Sequence, residues 1–408
     1  MRFSPLRAWR PAPGLAARVA APPYDVVNRS EASALALGNP LSFLHIGRSE
    51  IDLPPEVSPY DDRVYEQART NLRAFIDQRI LVQDAEPSLY VYEQTMNGRV
   101  QAGAVGCVHV DDYEADIIKK HEKTRPDKED DRTRHVLELN ANAEPVFLTY
   151  RRQPFISKAI AAARETQPLD DFTTMDGVRH RTWKLTDTAA LVDAFRRVPA
   201  AYVADGHHRC ASAWRAGKAR REQNPGHTGE EEYNWFLAVL FPSSELEILP
   251  YNRVVKDLDG KSAEELLRAL ASVGTLEPTD VPAPPRSGAF GVYLGGKWYR
   301  LTLDPHFVAD LKLPDSLDAQ LLHDLVLRPL LGVGDPRTDQ RLDFVGGIRG
   351  TTELQERVDR GEAAIAFALF PTTLDQLLEV SDTGQIMPPK TTWFEPKLRS
   401  GLFVHTLD

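Results

Sequence analysis

RVPAAYVADGHHRCASAWRAG, residues 197–217, decides how the rest of the chain is read. Ala200–Ala204 is an apolar run of strand length that leads directly into Asp205-Gly206-His207-His208-Arg209. Small and aromatic residues then recur at helical spacing. A strand, a tight Asp-Gly turn and a helix from about His207 place the free N–H groups of the first helical turn over the strand's end. Those donors and the helix dipole favour an anion by roughly 0.3–1 kcal/mol, up to about 2 when partly buried. His207, His208 and Arg209 add donors, and the planar fork of Arg suits a phosphate. Gly206 allows a ligand close to the backbone. Asp205 repels a bare phosphate. It fits as a helix N-cap, as a ligand of a divalent metal, or as a base facing a substrate hydroxyl. The plain alternative is an N-cap aspartate with two surface histidines.

Composition sets the frame. The chain has 408 residues, 42% hydrophobic and 26% charged, which is ordinary globular material. About two or three core-forming units of roughly 150 residues are expected. A net charge of −10 argues against nucleic acid as a partner. Cys107 and Cys210 have neither disulfide-framework nor zinc-site spacing. The opening residues lack a signal-peptide core, and no run of about 18 apolar residues suggests a membrane span, so a cytoplasmic location is expected.

Around the motif, helices and strands interleave. Val64, Ala68, Leu72, Phe75 and Ile76 predict an amphipathic helix over Pro59 to Gln78. SFLHIG (Ser42 to Gly47) reads as a strand. SLYVYEQTMNGRVQAGAVGCVHV predicts a hairpin turning at Asn97-Gly98, because Asn-Gly tolerates the positive φ of a type I′ turn. Pro126 suits a first helical turn. TWKLTDTAALVDAFRRV (Thr182 to Val198) holds a helix, and NWFLAVLF and LEILPYNRVV are β runs. Further on, KSAEELLRALASV is helical, GAFGVYLGGKWYRLTLD is a hairpin, SLDAQLLHDLVLRPLLG is helical and AAIAFALF is a strand. The fold class is α/β or α+β with mixed sheets. The expected division is a core over 1–256, a small α+β insert over 257–310, and a segment over 311–408 that packs back on the core.

Two further stretches could serve a site. IIKKHEKTRPDKEDDR strings Lys119, Lys120, His121, Glu122, Lys123, Thr124 and Arg125 together. Its cations could hold phosphates and Glu122 could be a base or metal ligand, although a solvated charged face is the usual meaning of such a run. MPPKTTWFEPK places Lys390, Thr391, Thr392 and Lys397 among aromatics, where they could close a site. Asp25 in PPYDVVN, and His45 and Arg48 in NPLSFLHIGR, are polar groups in turn-rich segments. The chain contains no GxxxxGK[ST] loop, GxGxxG, HExxH or GxSxG motif.

The DGHHR turn followed by a small-residue helix resembles the signature turn of the ParB/sulfiredoxin-like superfamily. PPYDVV, NPLSFLHIGR, YVYEQ, HEKTRPDKEDDR, ADGHHR, EILPYNRVV and MPPKTTWFEPK together resemble a prokaryotic domain-of-unknown-function family, ten-fifteen, over essentially the whole chain. The resemblance implies a ParB/sulfiredoxin-like mixed-sheet core with an additional C-terminal α+β segment. Sulfiredoxins resemble G-C-H-R, but His207 stands where their cysteine would. ParB-type proteins resemble G-E-R-R, with a helix-turn-helix that is not recognisable here. Free serine kinases resemble this chain more closely, through a D-G-H-x-R-like turn.

That likeness implies a phosphotransferase, a free L-serine kinase using ATP or ADP with Mg²⁺. Asp205 and Glu122 would be base or metal ligands. Gly206, His207, His208 and Arg209 would lie on phosphate, and Lys120, Lys123 and Lys390 would be supplementary cations. The alternatives are a phosphatase acting on phosphoserine and a ParB-like nucleotide switch without turnover. A small-molecule substrate and a nucleotide are the expected partners, and a homodimer is the assembly to test.

Overall fold

The structure is a computed structural model that describes residues 1–185 and 187–408; Thr186, inside the TWKLTD stretch, lies outside the described residues. The chain forms two compact units. The first comprises 1–120, 124–246 and 396–408, and the second 121–123 and 247–395.

The first unit is built on a nine-stranded mixed sheet. In chain order its strands are β1 (Phe3–Ser4), β2 (Tyr90–Met96), β3 (Arg99–His109), β4 (Ile118–Lys119) and β5 (Val146–Tyr150). They continue with β6 (Asp170–Thr173), β7 (Arg179–Lys184), β8 (Ala201–Asp205) and β9 (Trp235–Pro242). The order across the sheet is β4-β8-β5-β9-β3-β2-β7-β6, with β1 pairing β3 beyond the end of β2. The β8–β4 and β9–β5 pairs are parallel and the rest antiparallel, so the expected mixed α/β class is observed. The Asn-Gly hairpin is β2–β3, with Asn97 at φ 51° and Gly98 at φ 79°. Val91, Ala104, Leu148, Val203, Phe236 and Leu240 form the heart of the apolar core. The β runs are buried on both faces, which is why they read as continuous apolar stretches.

This unit also carries the helices α1 (Asp62–Asp77), α2 (Pro126–Leu139), α3 (Pro154–Arg164), α4 (Thr188–Arg196) and α5 (His207–Gln223). In α1 the residues Val64, Ala68, Leu72 and Phe75 are buried, as their spacing requires. Pro126 opens α2, where its missing N–H costs nothing, and Asn140 in the left-handed region ends it. SFLHIG is not a strand. Leu44–Gly47 is a helical turn, its amides bonding back to Ser42 and Phe43, with Phe43, Leu44 and Ile46 buried beside Leu72 and Phe75 of α1. Four apolar positions fill one helical face as readily as a strand. A Cβ on Gly47 would come within 2.9 Å of Glu144 Oε1, so a larger residue there asks that carboxylate to shift.

The second unit carries a six-stranded antiparallel sheet. Its strands are β10 (Tyr251–Val255), β11 (Gly274–Pro278), β12 (Ala289–Leu294), β13 (Lys297–Leu303), β14 (Leu342–Gly346) and β15 (Ile365–Ala368). Their order is β11-β13-β12-β15-β10-β14. Leu266, Leu270, Phe290, Leu322, Leu331 and Phe367 fill its core. The sequence reading put a boundary near Asp257 and separated 257–310 from 311–408. Observed instead is a boundary after Leu246, with strands from both stretches in one sheet, because β12 pairs with β15. The final residues belong to the first unit, where His405–Thr406 pairs with Ala141–Asn142.

Candidate functional site

The expected strand–turn–helix is present. β8 runs antiparallel to β5, and its register slips between Val203 and Asp205, so a bulge turns the aspartate at the strand's end. Gly206 follows at φ 97°, ψ 34°, a conformation L side chains rarely adopt. A Cβ on it would also press within 3.2 Å of Arg209 Nε. α5 then starts at His207 with no side-chain cap bond, and Cys210 N–H bonds back to Gly206 O at 2.9 Å. Asp205 does not cap the helix. Its Oδ1 accepts from the amide of Gly206, at 3.0 Å.

The other oxygen of Asp205 faces two cations. Lys397 Nζ and Arg209 Nη2 both lie 3.5 Å from Oδ2. Burial alone would push the carboxyl up. Lys397 and then Arg209 outweigh it and hold Asp205 well below the usual carboxylate range, at about 2. The backbone of Lys397 is fixed by the hairpin, since Gln94 Nε2 donates to its carbonyl at 2.8 Å.

Arg209 is buried and committed to the protein. Its Nη1 donates to Pro145 O at 2.6 Å and its Nη2 to Asp25 Oδ2 at 3.2 Å. It therefore ties Asp25 and Asp205 together, rather than presenting a free fork to a phosphate. Glu144 completes the acidic side, with Oε1 accepting from Tyr24 N at 3.3 Å. Burial pushes the Glu144 carboxyl up, with Arg209 opposing that rise. Arg132 stacks 4.3 Å over the Tyr24 ring. A cavity of about 30 Å³ behind Arg209, touching Arg132, Glu144 and Ser212, has room for little more than water.

His207 is buried and neutral near pH 7. Burial lowers it to about 4, against the pull of Asp205. His208 is half-buried, and its Nε2 accepts from the amide of Arg125 at 3.1 Å, so its proton sits on Nδ1 when the ring is neutral.

The remaining expected residues divide between the two units. Lys120 is in the first unit, where Nζ donates to Tyr113 O at 3.1 Å and lies 4.4 Å from the Tyr113 ring centre. Glu122, Lys123 and Lys390 belong to the second unit. Lys390 stands over the Tyr251 ring at 5.7 Å, and Lys123 lines a cavity of that unit. Among the described residues no group of three or more His, Cys, Asp or Glu side chains could hold a metal ion. A Mg²⁺ ion at Asp205 would have to arrive with phosphate oxygens, the mode in which magnesium keeps most of its waters.

Asp25 was notable in the sequence only as a polar residue in a turn, and Lys397 only as one cation of its segment. Glu144 and Arg132 carried no signal beyond a Glu-Pro pair before a strand and one cation in a charged helix. His45 pairs with Asp52 at 2.7 Å and Arg48 with Glu50 at 2.9 Å, local ion pairs that hold their own loop. Cys107 and Cys210 are buried free thiols pushed up by burial, unsuited to act as nucleophiles.

The chain belongs to the family described as Protein of unknown function (DUF1015), whose pattern matches residues 3–320. Among curated proteins no sequence matches it. The fold is similar to a free serine kinase in complex with AMP, at 13% identity and a TM-score of 0.37, covering 73% of this chain and 90% of that one. SbnI with a C-terminal truncation from Staphylococcus aureus is similar at 11% identity and a TM-score of 0.39, over 74% of this chain and 87% of that one. A conserved hypothetical protein from Pyrococcus furiosus is similar at 13% identity and a TM-score of 0.35, over 73% and 93%. Likeness at this level is too distant to assign an activity. Among the described residues no helix is long and apolar enough to cross a membrane.

Proposed function

We propose that this protein is a phosphotransferase acting on a small hydroxylated metabolite, with ATP or ADP as phosphoryl donor. The observation that carries the reading is Asp205. It is an ionised carboxylate at the bulged end of a strand, clamped by Lys397 and Arg209 beside an uncapped helix N-terminus. Phosphoryl transfer asks a protein chiefly for positioning and charge neutralisation, and little covalent chemistry.

The proposed roles are these. The N-terminal end of α5, with its helix dipole, would draw phosphate oxygens toward His207 and His208. Asp205, at about 2, is a weak base but a strong acceptor. Its part is to orient the substrate hydroxyl or to share Mg²⁺ with the phosphates, the ion supplying charge neutralisation there when bound. Arg209 and Lys397 keep that carboxylate charged and in place. Lys120, in the same unit as Asp205, remains proposed as a supplementary cation. Free L-serine is the first substrate to try, because the DGHHR turn resembles that of free serine kinases.

The test is a phosphorus-NMR assay of the purified chain with Mg²⁺, ATP or ADP and L-serine, and separately with phosphoserine. A metal-dependent phosphoserine signal supports the kinase. Loss of phosphoserine to free phosphate in the second tube replaces it with a phosphatase. Tight nucleotide binding without turnover across pooled hydroxylated metabolites replaces it with a nucleotide switch.

A further inference from the structure

Arg253 of β10 is a buried cation with no carboxylate paired to it among the described residues. The residue is 3% exposed and sits between β14 and β15, opposite Phe344 and Phe367. Its Nη1 donates to Tyr251 O, its Nη2 to Pro389 O at 3.4 Å, and its guanidinium lies 4.9 Å from the Phe344 ring centre. Burial pulls it down to about 10, and only Tyr251 opposes the fall. A guanidinium buried on carbonyls alone costs stability, so the fold gains nothing from a charge at this position.

What the charge faces is a cavity of about 340 Å³, within the roughly 300–1,000 Å³ usual for small-molecule sites. Lys123, Arg253, Arg328 and Arg337 line it against only Asp324 and Asp335. Arg328 and Asp324 pair with each other at 2.8 Å. Leu327 and Met387 supply an apolar wall. His323 adds a second unanswered group, its Nδ1 buried without a hydrogen-bond partner. Burial keeps that ring neutral, and Arg253 is one of the charges that lower it. His323 opens a π-helical turn, His323–Leu327, between the α-helical turns Asp318–Leu322 and Arg328–Leu331. Such widened turns are rare and concentrate at functional sites.

We propose that this cavity binds a small organic anion, its phosphate or carboxylate head on Arg253 and His323 and its body against Leu327 and Met387. The site is defined by residues of the second unit alone, and it stands whether or not the chain transfers phosphoryl groups.

Crystals of the full chain soaked in tungstate give the direct test. Anomalous density within hydrogen-bond reach of the Arg253 guanidinium, absent in Arg253→Met, is the expected result. Density at the Gly206–Arg209 turn is scored separately and bears only on the phosphotransferase. In solution, Arg253→Met should melt at or above the wild type in anion-free buffer, because an uncompensated charge has been removed. Inorganic pyrophosphate or citrate, according to which head fits, should raise the wild-type melting temperature more than that of the variant. Wild-type crystals without tungstate at Arg253 would overturn the proposal. So would an Arg253→Met protein that melts several degrees lower and responds to both anions as the wild type does.

Discussion

Asp205 is kept charged by its neighbours, and that decides what it can do. A carboxylate with a pKa of about 2 takes a proton poorly and accepts hydrogen bonds well. Asp205→Asn keeps the shape and loses the charge, so turnover should fall by about 10² or more while the chain still folds, with a lower melting temperature because Lys397 and Arg209 lose their partner. Wild-type rates in the phosphorus-NMR assay would remove Asp205 from the chemistry. Lys397→Met withdraws the leading opposing charge, so the Asp205 pKa rises and the acid limb of the rate–pH profile should move upward; an unmoved limb would assign Lys397 to packing. His208→Ala should weaken nucleotide binding, read by titration calorimetry, without lowering the melting temperature, since the ring is half-buried. Asp205 to Arg209 were legible because they are contiguous. Asp25 and Lys397 were named as candidates, but their pairing with Arg209 and Asp205 was not legible, because the fold brings them there from 184 and 192 residues away.

The β8–α5 junction depends on one residue without a side chain. Gly206→Ala must hold a Cβ at φ 97° and displace Arg209 from 3.2 Å. That should cost about 1–2 kcal/mol from the left-handed backbone alone, read by chemical denaturation. Elements with a strong local signal were read correctly: the Asn-Gly hairpin, the Pro-led α2 and the amphipathic α1. SFLHIG was misread because six residues hold too little periodicity to separate a strand from a helical turn. Packing against α1 chose between them. The bulge in β8 had no signal at all, since a one-residue slip in pairing is a property of two strands and not of one.

Across the whole molecule, buried neutral histidines set the acid limit. Burial, foremost, lowers His109 and His207 to about 4 and His135 and His180 to about 3. An unfolded histidine titrates near ~6.5, so below that pH the unfolded chain binds more protons than the folded one. Their contribution is fully present above pH ~6.5 and is lost as pH falls toward ~4, with His45, raised by Asp52, working the other way. Asp205 adds a second loss, as pH falls from ~4 toward about 2. The melting temperature should therefore drop steadily from pH 6.5 to 4; a flat profile would mean these rings are protonated in the fold. Composition could not reveal this, because burial is a property of the assembled sheet. Nor could it place the unit boundary, since β12 and β15 are joined only by pairing. The first unit is interrupted by residues 247–395 before Lys397 and the strand at His405–Thr406 return to it. During synthesis, therefore, the turn at Gly206 emerges from the ribosome long before the lysine that tunes its aspartate. A nascent chain stopped anywhere between them holds Asp205 without the cation that keeps it charged, so the setting of that carboxylate is completed only with the last few residues.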